Sequence, residues 1–173
     1  MGCLPFAAKP HYRIVMKKVE EIIRQNYITT PPVNARKLAS EYGLSVFFAE
    51  FPDEMINVCG FIDFNNSKMY VNADDSINRQ NFTIAHELGH WLLHKKQIEK
   101  NIHSYKVLMR QPIGGETDPL EKEANAFAAN LLVPTEMLKT LKKQGLSNRE
   151  LADVFAVSEQ VIGFRLSNED INV

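Results

Sequence analysis

The sequence has few cysteines and no long apolar stretch. Its 173 residues include two cysteines, Cys3 and Cys59. Two thiols supply neither a disulfide framework nor a structural zinc cage, and they fit a reducing compartment. No run of about 18 apolar residues is present, which argues against a membrane-spanning helix. The first residues also lack the basic and apolar regions of a secretory signal. We therefore expect a cytoplasmic protein with no membrane partner.

The sequence also lacks an excess of charge of either sign. Twenty Lys and Arg residues stand against 21 Asp and Glu residues, for a formal net charge of −1. No global basic field is available to attract nucleic acid or an anionic membrane. Hydrophobic residues make up 45% and charged residues 24%, which is typical of a globular protein with a packed core. This composition excludes the disordered and collagen-like classes.

The domain organisation follows from the length and from the absence of repeats. No internal repeat or low-complexity linker divides the chain, so we expect a single domain over residues 1–173. Apolar residues at helical spacing predict an N-terminal helix within residues 1–30. Residues 33–134 are the predicted core segment, and residues 135–173 are predicted to form short helices.

Three apolar runs in the core segment predict strands. They are rich in Val, Ile, Phe and Tyr and cover residues 44–51, 58–64 and 68–72. The short Asn-rich segment between the last two runs suits a tight hairpin. A short helix before them is expected to end at Gly43. The predicted fold class is therefore α+β, with several helices around a small three-stranded antiparallel sheet.

The clearest chemical signal is the HExxH motif His86-Glu87-Leu88-Gly89-His90, on a helix predicted over residues 77–95. Residues four apart lie on one helix face, so the imidazoles of His86 and His90 are about 6 Å apart along the axis and can share one zinc ion. Glu87 lies beside them, suited to accept a proton from a coordinated water. The alternative is a helix whose histidines only cap or pair. The apolar surroundings favour the metal, because unpaired imidazoles buried there would be costly.

A third histidine continues the same stripe. His94 lies eight residues beyond His86, about 12 Å along a regular helix, which is too far to share one ion. We interpret His94 as a structural residue. A zinc site therefore needs its third protein ligand from elsewhere in the chain.

The best source of that ligand is a second helix that begins at Asp118-Pro119. Glu121 falls roughly 50° from the centre of its apolar stripe and Glu123 roughly 110° from it. Glu121 is thus the carboxylate nearer the core, and Glu123 is the reserve ligand. Asn125 lies one turn on from Glu121 and is placed to hydrogen-bond a ligand. The alternative for Glu121 is a capping box, in which it folds back onto the amide of Asp118.

The sequence HELGHWLLH, followed about thirty residues later by EKEANAFAANLLVP, resembles the ImmA/IrrE family of metallo-endopeptidases. The resemblance extends over about residues 33–166. It implies a zinc-dependent metallopeptidase domain with residues 33–134 as its catalytic core, in a compact α+β fold with a three-stranded sheet beside the motif helix. It also implies a protein substrate, a phage-type helix-turn-helix transcriptional repressor, which the enzyme cleaves.

The resemblance also assigns roles to residues. It implies that His86, His90 and Glu121 hold Zn²⁺ and that Glu87 is the general base. The wider gluzincin group has a Glu-x-x-x-Asp pattern at the third ligand, and here Asn125 replaces the Asp. A His2Glu site also accepts Mn²⁺, Fe²⁺ or Co²⁺, so the sequence leaves the metal open.

Two further features bear on the substrate. His103 and Tyr105, in the loop predicted between the two helices, are candidate donors to the oxyanion of the transition state. The alternative is that both are ordinary exposed loop residues. The strand Lys68–Asn72 immediately precedes the motif helix, and if it is a sheet edge an extended substrate could pair with it.

Two other function classes compete with the peptidase. Residues 146–166 have a helix-turn-helix appearance, but residues 145–173 hold two arginines, Arg149 and Arg165, against five acidic side chains. Such a segment lacks the charge that dominates DNA affinity, so we expect helix packing or docking of a protein partner instead of DNA binding. The other class is a metal-binding regulatory or toxin–antitoxin component without turnover, which the sequence alone leaves open.

Overall fold

The computed structural model describes residues 10–100 and 118–168. Its contacts divide the chain into two compact units. One is formed by Asn34–Asn125, and the other by the chain on either side of it, Met1–Val33 and Ala126–Val173. Each unit has its own buried apolar residues. The single domain and its segment boundaries stay predictions.

The unit Asn34–Asn125, called the central unit below, begins with a helix and three short strands. The first helix of the chain, α1 Pro10–Gln25, belongs to the other unit. In the central unit the helix is α2 Ala35–Glu41, and the strands are β1 Ser45–Ala49, β2 Gly60–Asp63 and β3 Lys68–Asn72. The side chain of Asn34 accepts a hydrogen bond from the Lys37 amide and starts α2. Gly43 follows the helix with φ of +84°, a conformation that costs glycine little. The predicted short helix and its glycine end are confirmed.

The sheet has the strand order β1-β3-β2. β2 and β3 form an antiparallel hairpin, in which Asp63 pairs with Lys68. β1 pairs with the other side of β3 in parallel, with Ser45 opposite Lys68. The prediction of three strands in an α+β fold is confirmed, but the prediction that all of them are antiparallel is wrong. Apolar alternation marks a segment as extended and does not determine the direction of its partner.

The same topology removes the condition for substrate pairing with Lys68–Asn72, which was that this strand lies at the sheet edge. β3 is the middle strand, with β1 on one side and β2 on the other. Its backbone groups are engaged by both neighbours, so an extended substrate cannot pair with it main chain to main chain. In this sheet, the exposed edges belong to β1 and β2.

The motif helix packs against this sheet. Helix α3 covers Ile77–Gly89, a π-helical segment follows over His90–His94, and α4 covers Lys95–Lys100. Met69 and Val71 of β3 are completely buried, as are Ala85 and Leu88 of α3. A Cβ atom added at Gly60 of β2 would lie 2.6 Å from Cγ2 of Thr83. The glycine therefore allows the close approach of β2 and α3. The predicted helix over 77–95 is present, with a change of helix type at His90.

Helix α5 covers Pro119–Leu132. The side chain of Asp118 accepts a hydrogen bond from the Leu120 amide, 2.9 Å away, and starts the helix. The helix begins where the Asp-Pro signal predicts it. Its first turn carries Glu121 into the central unit.

The second unit is helical. It contains α1, the last part of α5, and the three helices α6 Thr135–Lys143, α7 Asn148–Phe155 and α8 Glu159–Asn168. Its core includes Ile22, Phe127, Leu138 and Phe155, which are completely buried. The predicted short helices after residue 135 are confirmed. Within residues 10–100 and 118–168, no helix combines the length and apolar character needed to cross a membrane.

Candidate metal centre

The two histidines of the HExxH motif lie at the end of α3 and are buried. His86 is 1% exposed and His90 is 3% exposed. Their Nε2 atoms lie 3.0 Å apart, on the helix face that the spacing of four residues predicts. His90 is the first residue of the π-helical segment. Short π-helical turns inside helices are frequent at functional sites, because they change the direction of neighbouring side chains.

The carboxylate of Glu121 closes a triangle with the two histidines. Its Oε2 lies 3.2 Å from Nε2 of His86, and its Oε1 lies 3.0 Å from Nε2 of His90. Asp118 caps α5 through its own side chain, and the Glu121 carboxylate is directed to the histidines. Within the described residues, this is the group of three side chains that is arranged to hold a metal ion.

The donor atoms fit a tetrahedral zinc ion. Two ligands that are each about 2.1 Å from zinc lie about 3.4 Å apart at the tetrahedral angle. The separations in the triangle are 3.0 to 3.2 Å, so small shifts would open the space for an ion. Two imidazoles and one carboxylate also form the donor set of catalytic zinc sites, which keep a fourth position open. The residues present therefore fit a divalent metal of this kind.

Each histidine uses its other ring nitrogen for a hydrogen bond. Nδ1 of His86 lies 2.9 Å from Oδ1 of Asn125. An amide oxygen only accepts, so Nδ1 of His86 donates to Asn125, and Nε2 of His86 is the ring nitrogen that faces the other two side chains of the triangle. This is the position beside the site that the sequence predicts for Asn125. Nδ1 of His90 lies 3.1 Å from Nδ1 of His94.

His94 lies outside the triangle, as predicted, but it is paired. It is buried, and its Nε2 lies 3.1 Å from a carboxylate oxygen of Glu123. Glu123, the predicted reserve ligand, therefore contacts His94 and is not part of the triangle. The sequence does not predict this pair. The spacing His90-x-x-x-His94 was its available signal, but a partner 29 residues away could not be identified without the fold.

The electrostatics of the site follow from burial and from these contacts. Burial acts to raise the pKa of Glu121, but hydrogen bonds from His86 and His90 outweigh it and hold the pKa well below its usual range. Burial acts to lower the pKa of His90, but the carboxylates of Glu121 and Glu87 raise it above its ordinary value. Burial and the nearby His90 lower the pKa of His94. The site thus concentrates negative charge beside a buried histidine pair.

The remaining predicted residues have different positions. Glu87 is buried, with 4% exposure, between the two histidines in the chain. His103 and Tyr105 lie outside the described residues, so their role in binding an oxyanion stays a prediction. The loop predicted over residues 101–117 lies outside them as well.

An HExxH helix whose histidines meet a glutamate from a second helix is the arrangement typical of zincin metallopeptidases. The model of the IrrE N-terminal-like domain, peptidase family M78, matches residues 32–167. The chain belongs to this family, and the predicted resemblance to the ImmA/IrrE metallopeptidases is confirmed.

Several individual proteins are similar to this chain in sequence or in fold. Metallopeptidase ImmA of Bacillus subtilis (strain 168) is 32% identical over 99 residues, which are 56% of this chain and 54% of the relative. The chain thus matches about half of the length of that relative. Uncharacterized immunity region protein 2 of Bacillus phage phi105 is 25% identical over 143 residues, 82% of each chain. A Mycobacterium tuberculosis transcriptional regulator shares the fold, with a TM-score of 0.65 and 17% identity over 90% of this chain and 46% of that chain.

Proposed function

We propose that this protein is a metal-dependent peptidase, and more narrowly a zinc endopeptidase. The observation that carries the proposal is the triangle of His86, His90 and Glu121, with Nε2 and carboxylate oxygens 3.0 to 3.2 Å apart. Membership of peptidase family M78 supports it. Two imidazoles and one carboxylate in a buried site suit zinc, and Mn²⁺, Fe²⁺ or Co²⁺ could take its place.

The proposed reaction is hydrolysis of a peptide bond. Zinc, when bound, lowers the pKa of a water ligand and polarises the scissile carbonyl. His86, His90 and Glu121 are the residues that would hold the ion. Glu87 accepts a proton from the attacking water and then donates it to the leaving amine as the C–N bond breaks. The burial of Glu87 excludes bulk water that would otherwise weaken its interaction with the reacting groups.

The proposed substrate is a phage-type helix-turn-helix transcriptional repressor. This follows from the resemblance of the sequence to the ImmA/IrrE family. The similarity to an immunity region protein of a phage is consistent with it. We propose that the enzyme cleaves such a repressor at one site in the cytoplasm.

The substitution Glu87→Gln tests the peptidase. Glutamine has nearly the same shape but cannot accept the proton, so the variant should bind one zinc ion per chain and lose cleavage. Glu20→Gln, which makes the same change at an exposed position of α1, is the matched control and should cleave like the parent. If Glu87→Gln cleaves at the parental rate, the proposed catalysis is wrong. A parent that binds zinc but cleaves no candidate substrate would favour the regulatory metal-binding protein instead.

A purified helix-turn-helix repressor of the phage type tests the substrate. It is incubated with the zinc-loaded protein, with the chelated protein and with Glu87→Gln, and the products are measured by mass spectrometry. A single new cleavage site that appears only with the zinc-loaded parent supports the proposal. An intact repressor in all three reactions would contradict it.

DNA binding through the last helices is the weaker alternative. Of the two arginines there, Arg165 is completely buried. Its Nε donates to the carbonyl of Val133 and its Nη2 to the hydroxyl of Thr135, at 3.0 and 2.9 Å. It is therefore not available to neutralise a phosphate. A gel shift with a nonspecific duplex at low and high salt tests this alternative, and we expect no salt-dependent complex.

A further inference from the structure

A hydrogen-bonded series of three side chains, the first two of them buried, leads away from the proposed metal site. Nδ1 of His90 lies 3.1 Å from Nδ1 of His94, and Nε2 of His94 lies 3.1 Å from Oε2 of Glu123. The two imidazole rings meet at 60°, with centroids 5.1 Å apart. His94 is buried, whereas the Glu123 side chain is 21% exposed. The proposed peptidase mechanism uses neither His94 nor Glu123.

The donor and acceptor roles in this series of side chains follow from Glu123, the member farthest from the proposed metal site. A carboxylate oxygen accepts hydrogen bonds, so Nε2 of His94 donates to Oε2 of Glu123. A neutral imidazole carries one N–H, and Nδ1 of His94 is therefore an acceptor. Nδ1 of His90 must then donate to His94. In a neutral His90 the one proton is then on Nδ1, and Nε2, the atom that faces Glu121, is the ring nitrogen that would bind a metal.

We propose that the Glu123–His94 pair is a positioning device that fixes His90 in the tautomer able to bind the metal through Nε2. His86 obtains the same tautomer from Asn125. The two partners differ, since Asn125 acts directly, whereas Glu123 acts through an intervening imidazole. The inference rests on the proposed metal site, and it assigns His94 a role in metal affinity in addition to packing.

The π-helical segment supports the assignment. His90 and His94 are its first and last residues. This segment places the two rings edge to face with both Nδ1 atoms in contact. A regular helix with His94 only packed in the core would not require this contact between the nitrogens.

Zinc affinity, measured by competition with a chromophoric chelator, tests the proposal. His94→Leu removes the acceptor for Nδ1 of His90, and we expect zinc affinity to fall about 10- to 100-fold. His94→Gln keeps one acceptor and one donor, so it should recover part of that loss. In Glu123→Gln the side chain can donate as well as accept a hydrogen bond, so it no longer determines the tautomer of His94 and, through it, of His90. This variant should weaken zinc binding several-fold. Glu136→Gln, at an exposed carboxylate of α6, is the control and should bind zinc like the parent.

A spectroscopic measurement separates positioning from packing. In the zinc-loaded parent with ¹⁵N-labelled histidine, we expect a slowly exchanging N–H at Nδ1 of His90, and rapid exchange of that proton in Glu123→Gln. The Glu123 variants keep the measurement available if His94→Leu fails to fold.

The outcomes distinguish this inference from the proposed function. A parent chain that binds no zinc overturns the metal site, and the inference with it. If the parent binds zinc and a folded His94→Leu variant binds zinc equally tightly, the inference alone is overturned. The same conclusion follows if Glu123→Gln matches the parent in zinc affinity and in exchange of the His90 proton. Equal losses in His94→Gln and His94→Leu would also contradict it, since they would indicate packing and not hydrogen bonding.

Discussion

The Nδ1 atom of His86 lies 2.9 Å from Oδ1 of Asn125, which links the HExxH helix directly to the helix that carries Glu121. This contact lies behind the proposed metal site. It orients one imidazole through a neutral amide, where the related gluzincin pattern has a carboxylate. The strength of this hydrogen bond should therefore influence how tightly the site holds a metal.

The first prediction concerns Asn125. Asn125→Ala removes the acceptor for Nδ1 of His86, and zinc affinity should fall about 10- to 100-fold. Asn125→Asp should bind zinc at least as tightly as the parent, because a charged acceptor makes the imidazole a stronger ligand. Chelator competition measures both variants. Parental affinity in Asn125→Ala would show that the contact does not support the site.

The second prediction distinguishes the two glutamates of α5. Glu121→Gln removes a proposed ligand. Loss of a residue that only hydrogen-bonds a ligand typically lowers metal affinity about 10- to 100-fold, and we expect a larger loss of zinc affinity for Glu121→Gln. Glu123→Gln should have the smaller effect. Isothermal titration with zinc gives both values. If Glu123→Gln proves the more damaging variant, Glu123 is the third ligand and the assignment of Glu121 is wrong.

The third prediction concerns the contact between β2 and α3. In Gly60→Ala the new methyl group would lie 2.6 Å from Cγ2 of Thr83 and 2.7 Å from the carbonyl oxygen of Tyr70. The resulting strain should lower the free energy of unfolding by about 1–3 kcal/mol. Because Thr83 is one turn before His86, zinc affinity should also decrease.

The matched control for this prediction is Gly163→Ala. A Cβ atom at Gly163 of α8 would have no neighbour within 4 Å, and alanine is favoured over glycine inside a helix by about 1 kcal/mol. This variant should be slightly more stable than the parent in chemical denaturation. Equal stability of the parent and Gly60→Ala would show that β2 and α3 can separate at little cost.

The fourth prediction is a pH dependence at the start of α7. Glu150 accepts hydrogen bonds from the amide and the hydroxyl of Ser147, at 2.8 and 2.7 Å. These bonds hold the pKa of Glu150 below its ordinary value. A carboxylate with a lowered pKa in the folded state stabilises the fold above its unfolded pKa, about 4.3, and loses this effect as the pH falls through the folded value.

Thermal unfolding of Glu150→Gln at several pH values checks this prediction. The variant should melt below the parent near neutral pH, and the difference should shrink as the pH falls below about 4. Glu20→Gln, which changes an exposed carboxylate on α1, should follow the parent throughout. A difference that stays constant with pH would exclude ionisation of Glu150 as its source.

Local signals in the sequence were sufficient for most elements. Gly43 ends α2, and Asp118 starts α5, because backbone conformation and helix caps depend on residues close in the chain. The parallel direction of β1 was not predictable, since an extended segment carries no information about the orientation of its partner. For the same reason the position of Lys68–Asn72 at the centre of the sheet was missed.

The candidate site also has a part that local spacing predicts and a part that depends on contacts between helices. The spacing of His86 and His90 places both imidazoles on one face of any helix, so the sequence predicted this half of the site. Whether Glu121 caps α5 or joins His86 and His90 as a metal ligand depends on which groups lie opposite the first turn of α5. The partner of His94 depends on a second helix as well. Both depend on the tertiary structure, because the contacts join residues about 30 positions apart.

The sequence alone determined that a histidine pair with an adjacent glutamate lies on one helix face, since helical periodicity is a property of the backbone. The tertiary structure decided which distant carboxylate completes the site and which partner holds each imidazole. It did so because α5 packs against the motif helix. This packing places Glu121 next to His90, Glu123 next to His94 and Asn125 next to His86, each pair within hydrogen-bond distance. Burial then makes each of these contacts costly to leave unpaired.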